Sequence, residues 1–271
     1  QRGAPFWLLV AMTTCGTLGM HVIIPALPAT AQAMGISIGS VQLTITLYLI
    51  GLAVGQLIYG PLSDSFGRRP VLVIGLLIFV AASLATALAP NATVLIGSRI
   101  LQSLGGCAGL VLGRAAVRDG ATPEKAAGRL ALLTMTMSIV PAVAPAIGGF
   151  VTAFVHWRAS YFLLVAIGAV TWLATLVLLP ETNLPGPAGR PKLTFGRGYG
   201  RLLKSRIFLG FSVSGAFTTT CFYAFMTSAQ FIFENRLGRP TQEVGIYYLI
   251  LMAGVAIGAI VANRVSPHVS L

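Results

Sequence analysis

The sequence predicts an all-α polytopic membrane protein: a bundle of six helices, a linker, and the first two helices of a second bundle. Three observations predict it. Only 9% of the 271 residues are charged and 56% are hydrophobic, whereas about a quarter of a soluble domain is charged. Most of the surface must therefore face lipid. Eight stretches each hold roughly the 20 predominantly apolar residues that a bilayer crossing needs. Basic residues recur in alternate connections between those stretches. The formal charge of +12 thus lies in short blocks beside apolar spans, the pattern of loops at a membrane surface rather than of a nucleic-acid binder. A lipid-exposed backbone must satisfy its own hydrogen bonds, so every span is a helix.

Span one covers 6–28. It lacks the short basic, apolar and small-residue regions of a cleaved leader, so Phe6 onward reads as a retained helix. Its segment LGMHVIIPALP, Leu18 to Pro28, places one titratable side chain, His21, among apolar neighbours. Spans two to six follow at 41–62, 70–90, 92–113, 130–153 and 158–180. The longest connection, 181–206, contains LPGPAGRPK, a Pro/Gly/basic linker that divides the N-terminal half (1–180) from the start of a second half (207–271). Spans seven and eight lie at 207–233 and 244–263. Tyr48-Leu49-Ile50 in span two recurs as Tyr248-Leu249-Ile250 in span eight, helices of equal rank on either side of the linker. The match reads as a repeat of halves. Two complete parallel halves would add about 130 residues and four further spans, the plan of a secondary transporter with its site between the halves.

One set of connections holds fourteen Lys and Arg residues: Arg2, Arg68, Arg69, Arg114, Arg118, Lys125, Arg129, six between Arg190 and Arg206, and Arg264. The other set holds three, Arg158, Arg236 and Arg239, while Arg99 lies within a span. The positive-inside rule then places the N-terminus and the 181–206 linker in the cytoplasm. Cys15, Cys107 and Cys221 fall in apolar runs without paired spacing and read as small hydrophobic residues.

The loop after span two reads GPLSDSFGRRP, and Gly51 precedes Gly60 by nine residues. The resulting G-x8-G-x3-D-x2-G-R-R pattern resembles the loop signature of the major facilitator superfamily, with Ser65 where an Arg is usual. Span four ends in GRAAVRD, and the superfamily often pairs an Arg and an Asp there with that loop. The resemblance implies an ionic cluster of Asp64, Arg68, Arg69, Arg114 and Asp119 that holds the cytoplasmic face closed. Arg99 and Gln102 match the fourth-helix motif R-x-x-Q-x-x-G, with Ser103 one place after Gln102 where a Gly is usual. In the superfamily that Arg serves proton or substrate coupling. A charge at this depth costs at least ~2.5–3.5 kcal/mol on insertion scales, so it faces a cavity and marks function, or else snorkels to the outer interface. Span five carries VPAVAPAIGGF: Pro141 and Pro145 kink the helix, and Gly148 and Gly149 permit close approach. A-P-x-x-G-G resembles the antiporter motif that favours an exporter, with Ala144 for its first Gly. The whole pattern is similar to the twelve-span drug:proton antiporters of the bicyclomycin/chloramphenicol-resistance branch.

An antiporter needs a titratable group in a cavity, yet the six acids lie in loops or at span ends. In that branch the position four before PALP usually holds Asp; here it is His21, read at the outer third of span one near the depth of Arg99. Histidine titrates near neutral pH, and burial beside a cation favours its neutral form. His21 is expected to carry the proton, to bond substrate, or to pair inertly with a carbonyl. Span seven offers the polar face Ser212, Ser214, Thr218, Thr219, Thr220, Tyr223, Thr227 and Gln230. With Tyr48, Gln56, Thr44, Met135 and Met137 it is expected to line a cavity for amphiphilic molecules, although such hydroxyls also serve as glue between helices. The resemblance implies a monomeric, proton-driven exporter of small drug-like compounds in a bacterial inner membrane, with no nucleic-acid partner. No cofactor but the proton gradient, no metal site and no enzymatic chemistry are expected. A sugar or metabolite efflux carrier, or a polytopic scaffold that transports nothing, are the competing readings.

Overall fold

The computed structural model describes residues 4–120, 122–183 and 202–240, Gly200, and scattered positions from 243 to 258, save for the side chains at 123, 124, 138 and 230. Seven helices among them are long and apolar enough to cross a membrane. Most of the eighth span, and the linker from 184 to 199, lie outside the described residues.

Span one is broken. Helix α1 (Phe6–His21) stops, a 3-10 turn covers Ile24–Ala26, and α2 (Leu27–Met34) resumes the path. Pro25 has no N–H to give the carbonyl of His21, four residues earlier, so the helical ladder fails at that point. Pro28 then sits in the first turn of α2, where its missing donor costs nothing. The span therefore ends at Met34, capped by left-handed Gly35 with φ 61°, and not near residue 28. His21 consequently lies near the middle of a 29-residue span, not in its outer third.

Spans two to seven are α3 (Ile38–Phe66), α4 (Arg68–Ala87), α5 (Ala92–Asp119), α6 (Pro123–Phe154), α7 (Trp157–Leu178) and α8 (Arg206–Phe231), the last continued by a π-helical turn at Ile232–Arg236. Side-chain caps start four of them. Ser37 Oγ accepts from Ser40 N at 3.1 Å, Asn91 Oδ1 from Val94 N at 3.0 Å, His156 Nδ1 from Arg158 N at 3.3 Å, and Ser205 Oγ from Phe208 N at 3.3 Å. Spans two, four and five outrun their apolar stretches, because a polar residue at the headgroup level still makes helical backbone bonds.

Span four is the hub, packing on spans one, two and three. Its glycines make this possible. A Cβ on Gly106 would meet the Cα of Gly16, and one on Gly109 would strike the Met12 carbonyl, so backbone lies on backbone as small-residue interfaces in lipid require.

Span three is gripped at both ends by residues at the two ends of span six. At its start the Glu181 carboxylate accepts from the Arg68 and Arg69 backbone N–H groups at 2.9 and 3.3 Å. At its finish Arg158 donates through Nε to the Ala87 carbonyl and through Nη2 to the Ala89 carbonyl, both at 3.0 Å. An anion at a helix N-terminus and a cation at its C-terminus both oppose the helix dipole favourably. Between them Trp172 Nε1 donates to the Val73 carbonyl at 3.1 Å. Span seven meets the other spans mainly at the 3-10 turn and α2, beyond the break in span one.

Candidate functional site

The break in span one organises the centre of the molecule. Gly148 of span five packs against it: a Cβ there would collide with the Val22 carbonyl. Ala144, Pro145, Gly148 and Gly149 are buried, with Pro141 half-buried one turn away. The small residues of the antiporter-like motif thus let span five lie directly on the turn that follows His21.

His21 is 1% exposed. Its Nδ1 lies 2.8 Å from the Thr17 carbonyl. A carbonyl only accepts, so Nδ1 carries the hydrogen, and in the neutral ring Nε2 keeps its lone pair. Nε2 is buried and has no hydrogen-bond partner among the described residues. The ring tilts at 44° towards Tyr223 of span seven, centroids 5.9 Å apart.

Arg99 is fully buried. Its Nη1 donates to the Gly19 carbonyl of span one at 2.8 Å and also to Gln102 Oε1. Gln102 Nε2 donates onward to Ser83 Oγ of span three at 2.7 Å. The guanidinium lies over the Tyr48 ring, 4.1 Å from its centroid, and Tyr48 Oη donates to the Gly16 carbonyl at 2.8 Å. One cation thereby joins spans one to four; its Nε and Nη2 have no partner among the described residues. Arg99 and His21 do not share a wall. Gly19 and His21 are two residues apart, about 200° around a helix. Arg99 therefore approaches span one from inside the bundle, while His21 faces span seven.

On the basic face Arg68 is the centre of the ionic cluster. It pairs with Asp64 at 2.5 Å and with Asp119 at 3.0 Å, and donates to Ser63 Oγ. Arg69 turns instead to the Leu176 carbonyl at the end of span six, 2.8 Å away. Arg114 does not join. Its guanidinium is exposed and reaches Met137 Sδ of span five at 3.4 Å, since it lies on a different face of span four from Asp119. The sequence reading missed Glu181 and also Asn183, whose Nδ2 donates to the Ser63 and Asp64 carbonyls at 3.2 and 3.1 Å. An acid just after span six, at the membrane face where span three begins, was the signal available.

A crevice of about 420 Å³ opens between spans two and seven. Of the residues expected there, Thr220, Tyr223 and Thr227 line it. Tyr48 does not, being committed beneath Arg99. Thr44 is buried and bonded to the Val41 carbonyl. Gln56, Met135 and Thr219 are exposed away from the crevice, and the Gln230 side chain lies outside the described residues. Gln42, Thr46 and Ser228 also line it, unforeseen; Gln42 and Thr46 are four apart, a polar stripe on one face of span two. Among the described residues no group of three or more His, Cys, Asp or Glu is placed to hold a metal ion.

The Major Facilitator Superfamily pattern matches residues 9–270. An uncharacterised MFS-type transporter, YdgK of Bacillus subtilis (strain 168), is 33% identical over 97% of this chain and 66% of its own length. The chloramphenicol resistance protein of Pseudomonas aeruginosa is 40% identical over 67% of this chain and 44% of its own. The chain thus spans about two thirds of the length of the first relative and under half of the second. Among solved structures, a bacterial homologue of the human lysosomal transporter Spinster, inward-facing and unoccupied, superposes with a TM-score of 0.73 at 16% identity, covering 98% of this chain and 64% of that one.

Proposed function

Because the chain belongs to the Major Facilitator Superfamily, a family of transporters rather than enzymes, we propose that it acts as a proton-coupled exporter of small amphiphilic, drug-like compounds, working by alternating access in a bacterial inner membrane. The basic face, with the N-terminus, is cytoplasmic in this reading, as the loop charges favour. The observation that carries the proposal is His21: a buried imidazole with a free Nε2, at the break of a mid-membrane helix, beside a crevice between spans two and seven. Discontinuous helices at the membrane midplane are where transporters place coupling sites. The inner end of the crevice mixes Leu49 and Ile50 with Thr220 and the Tyr223 ring, a lining that suits an apolar molecule with a few polar groups. The resistance protein among the relatives supports a drug as cargo.

Alternating access lets one site bind either a proton or the cargo. A charged His21 ring and a bound amphiphile compete for the space beside Tyr223, which is the requirement for exchange. In proteoliposomes with an imposed pH gradient, a cationic or zwitterionic drug added at the cytoplasmic face is expected to drive proton flux in the opposite direction. H21N keeps the geometry of one ring nitrogen but cannot titrate. It is expected to bind drug and lose at least ~10-fold of the gradient-driven rate between pH 6 and 8. Full gradient-driven export by H21N would remove His21 from the coupling step.

A further inference from the structure

Two cavities follow one another along span seven, the first facing α2 and the start of span two, the second facing span two, and together they form one seam. The first, about 310 Å³, is bordered by Gln32, Ile38, Phe231, Glu234 and Asn235, at the end of the molecule away from the basic face. The second is the 420 Å³ crevice, which begins at Gln42 and Ser228. Ile38 and Gln42 are four residues apart and Ser228 and Phe231 three, so on both helices one cavity takes over within a turn of where the other ends. From Glu234 to Tyr223 the path descends about 16 Å at 1.5 Å per residue. Polar groups mark it throughout: the Gln32 and Asn235 amides and the Glu234 carboxylate at the mouth, then Gln42, Thr46 and Ser228 below. Apolar packing would need none of them at that depth. At the foot stands Tyr223, against the His21 ring whose Nε2 is buried and unpartnered.

We propose that this seam is the route by which protons from the outer face reach His21, with Glu234 gathering them at the mouth and the amide and hydroxyl groups below holding a file of water. The proposal rests on the proton-coupled reading given above. In the transfer step the Nε2 lone pair forms a bond to a proton as an O–H bond of a hydronium-like water breaks. The ring passes from neutral to +1, the water returns to neutral, and the Nδ1–H stays on the Thr17 carbonyl. Release at the other face breaks the same Nε2–H bond. Among the described residues, Tyr223 is the titratable group in ring contact with His21; Arg99 meets span one at Gly19, on the far side of that helix.

The test uses the reconstituted carrier, in a C221S background because Cys15 and Cys107 are buried. A membrane-impermeant cationic methanethiosulfonate is expected to modify T46C from the outer face, and that modification to slow drug-driven proton flux at least ~10-fold. Because Thr46 lines the crevice read as the cargo site, drug counterflow is measured on N235C, modified in the same way at the mouth. At equal pH on the two sides counterflow needs no net proton and is expected to continue while drug-driven proton flux slows. The hydroxyl itself is tested by T46V and T46S, the first slowing proton flux several-fold and the second restoring it. Failure of T46C to react from outside, or unchanged proton flux after complete modification, overturns the route. If the unmodified carrier shows no drug-driven proton flux, the proton-coupled reading fails and the route falls with it. If it shows flux and only the seam variants are without effect, the route fails alone.

Discussion

Arg99 shows how a charge is kept inside a membrane bundle. Its two hydrogen-bond partners are a backbone carbonyl and Gln102, and the rest of its stabilisation comes from the face of Tyr48. A desolvated cation over an aromatic ring gains about 2 kcal/mol, whereas a hydrogen bond within a membrane protein averages about 0.6 kcal/mol. The two contributions of Tyr48 can therefore be separated. Thermal unfolding in detergent is expected to show a loss of under about 1 kcal/mol for Y48F, which keeps the ring, and about 2–3 kcal/mol for Y48L, which does not. Gly148 poses the opposite problem, since what matters there is an absence of atoms. G148A drives a Cβ into the Val22 carbonyl and is expected to cost about 1–3 kcal/mol by overpacking and to impair transport. G128A meets nothing within 4 Å and should gain the ordinary helix benefit of Ala, up to about 1 kcal/mol. The pairing of Arg99 with Gln102 was legible from their three-residue spacing. That Tyr48 lies beneath Arg99, and that Arg99 and His21 use opposite sides of span one, was not. Both depend on how a neighbouring helix is rotated, which spacing within one helix does not fix.

At the scale of elements, hydropathy located all seven described spans and misplaced several of their ends. A window of apolar residues sees the hydrocarbon, while a helix ends where its hydrogen-bond ladder is capped or broken. Span two runs on through Ser63 and Asp64, and span four to Asp119, because all three polar groups meet Arg68 at the headgroup level. Span one was cut short for the converse reason. Pro25 was visible in the sequence, but a proline that interrupts a helix and one that ends it look alike until the following residues are seen to resume it. Span three carries the clearest energetic consequence. Charge at a helix terminus contributes 0.3–1 kcal/mol when exposed and up to about 2 kcal/mol when partly buried, so E181Q and R158Q are each expected to lower stability by about 1 kcal/mol. The two ends of this 20-residue helix are about 30 Å apart. The double variant should therefore lose the sum of the two within about 0.5 kcal/mol, measured as the shift in thermal midpoint relative to each single variant.

For the whole molecule, every described member of the ionic cluster lies in the first six spans or just after the sixth: Arg68, Asp64, Asp119, Glu181 and Asn183 bind the ends of spans two, three, four and six to one another. As arranged here it fastens that bundle to itself. D119N leaves Arg68 with Asp64, so the expected loss of stability is below about 1 kcal/mol. A change in transport rate several-fold larger than that loss explains would place the cluster in the conformational cycle; an unchanged rate would leave it structural. The family was readable in the loop motif, Arg99 and the paired prolines; the depth of His21 was not, because span one continues past Pro25 to Met34. The seam between spans two and seven was not, because it is made by the meeting of two helices far apart in sequence. The grip on span three also has an electrical meaning. Glu181 and Arg158 are fixed to opposite ends of one helix, and Arg99 to a carbonyl of the same bundle, so when that bundle turns as a body its fixed charges keep their places in it and cross little of the membrane potential. In the exchange proposed above, the current that accompanies one turnover would then belong to the cargo and the proton, and its voltage dependence would read the stoichiometry directly.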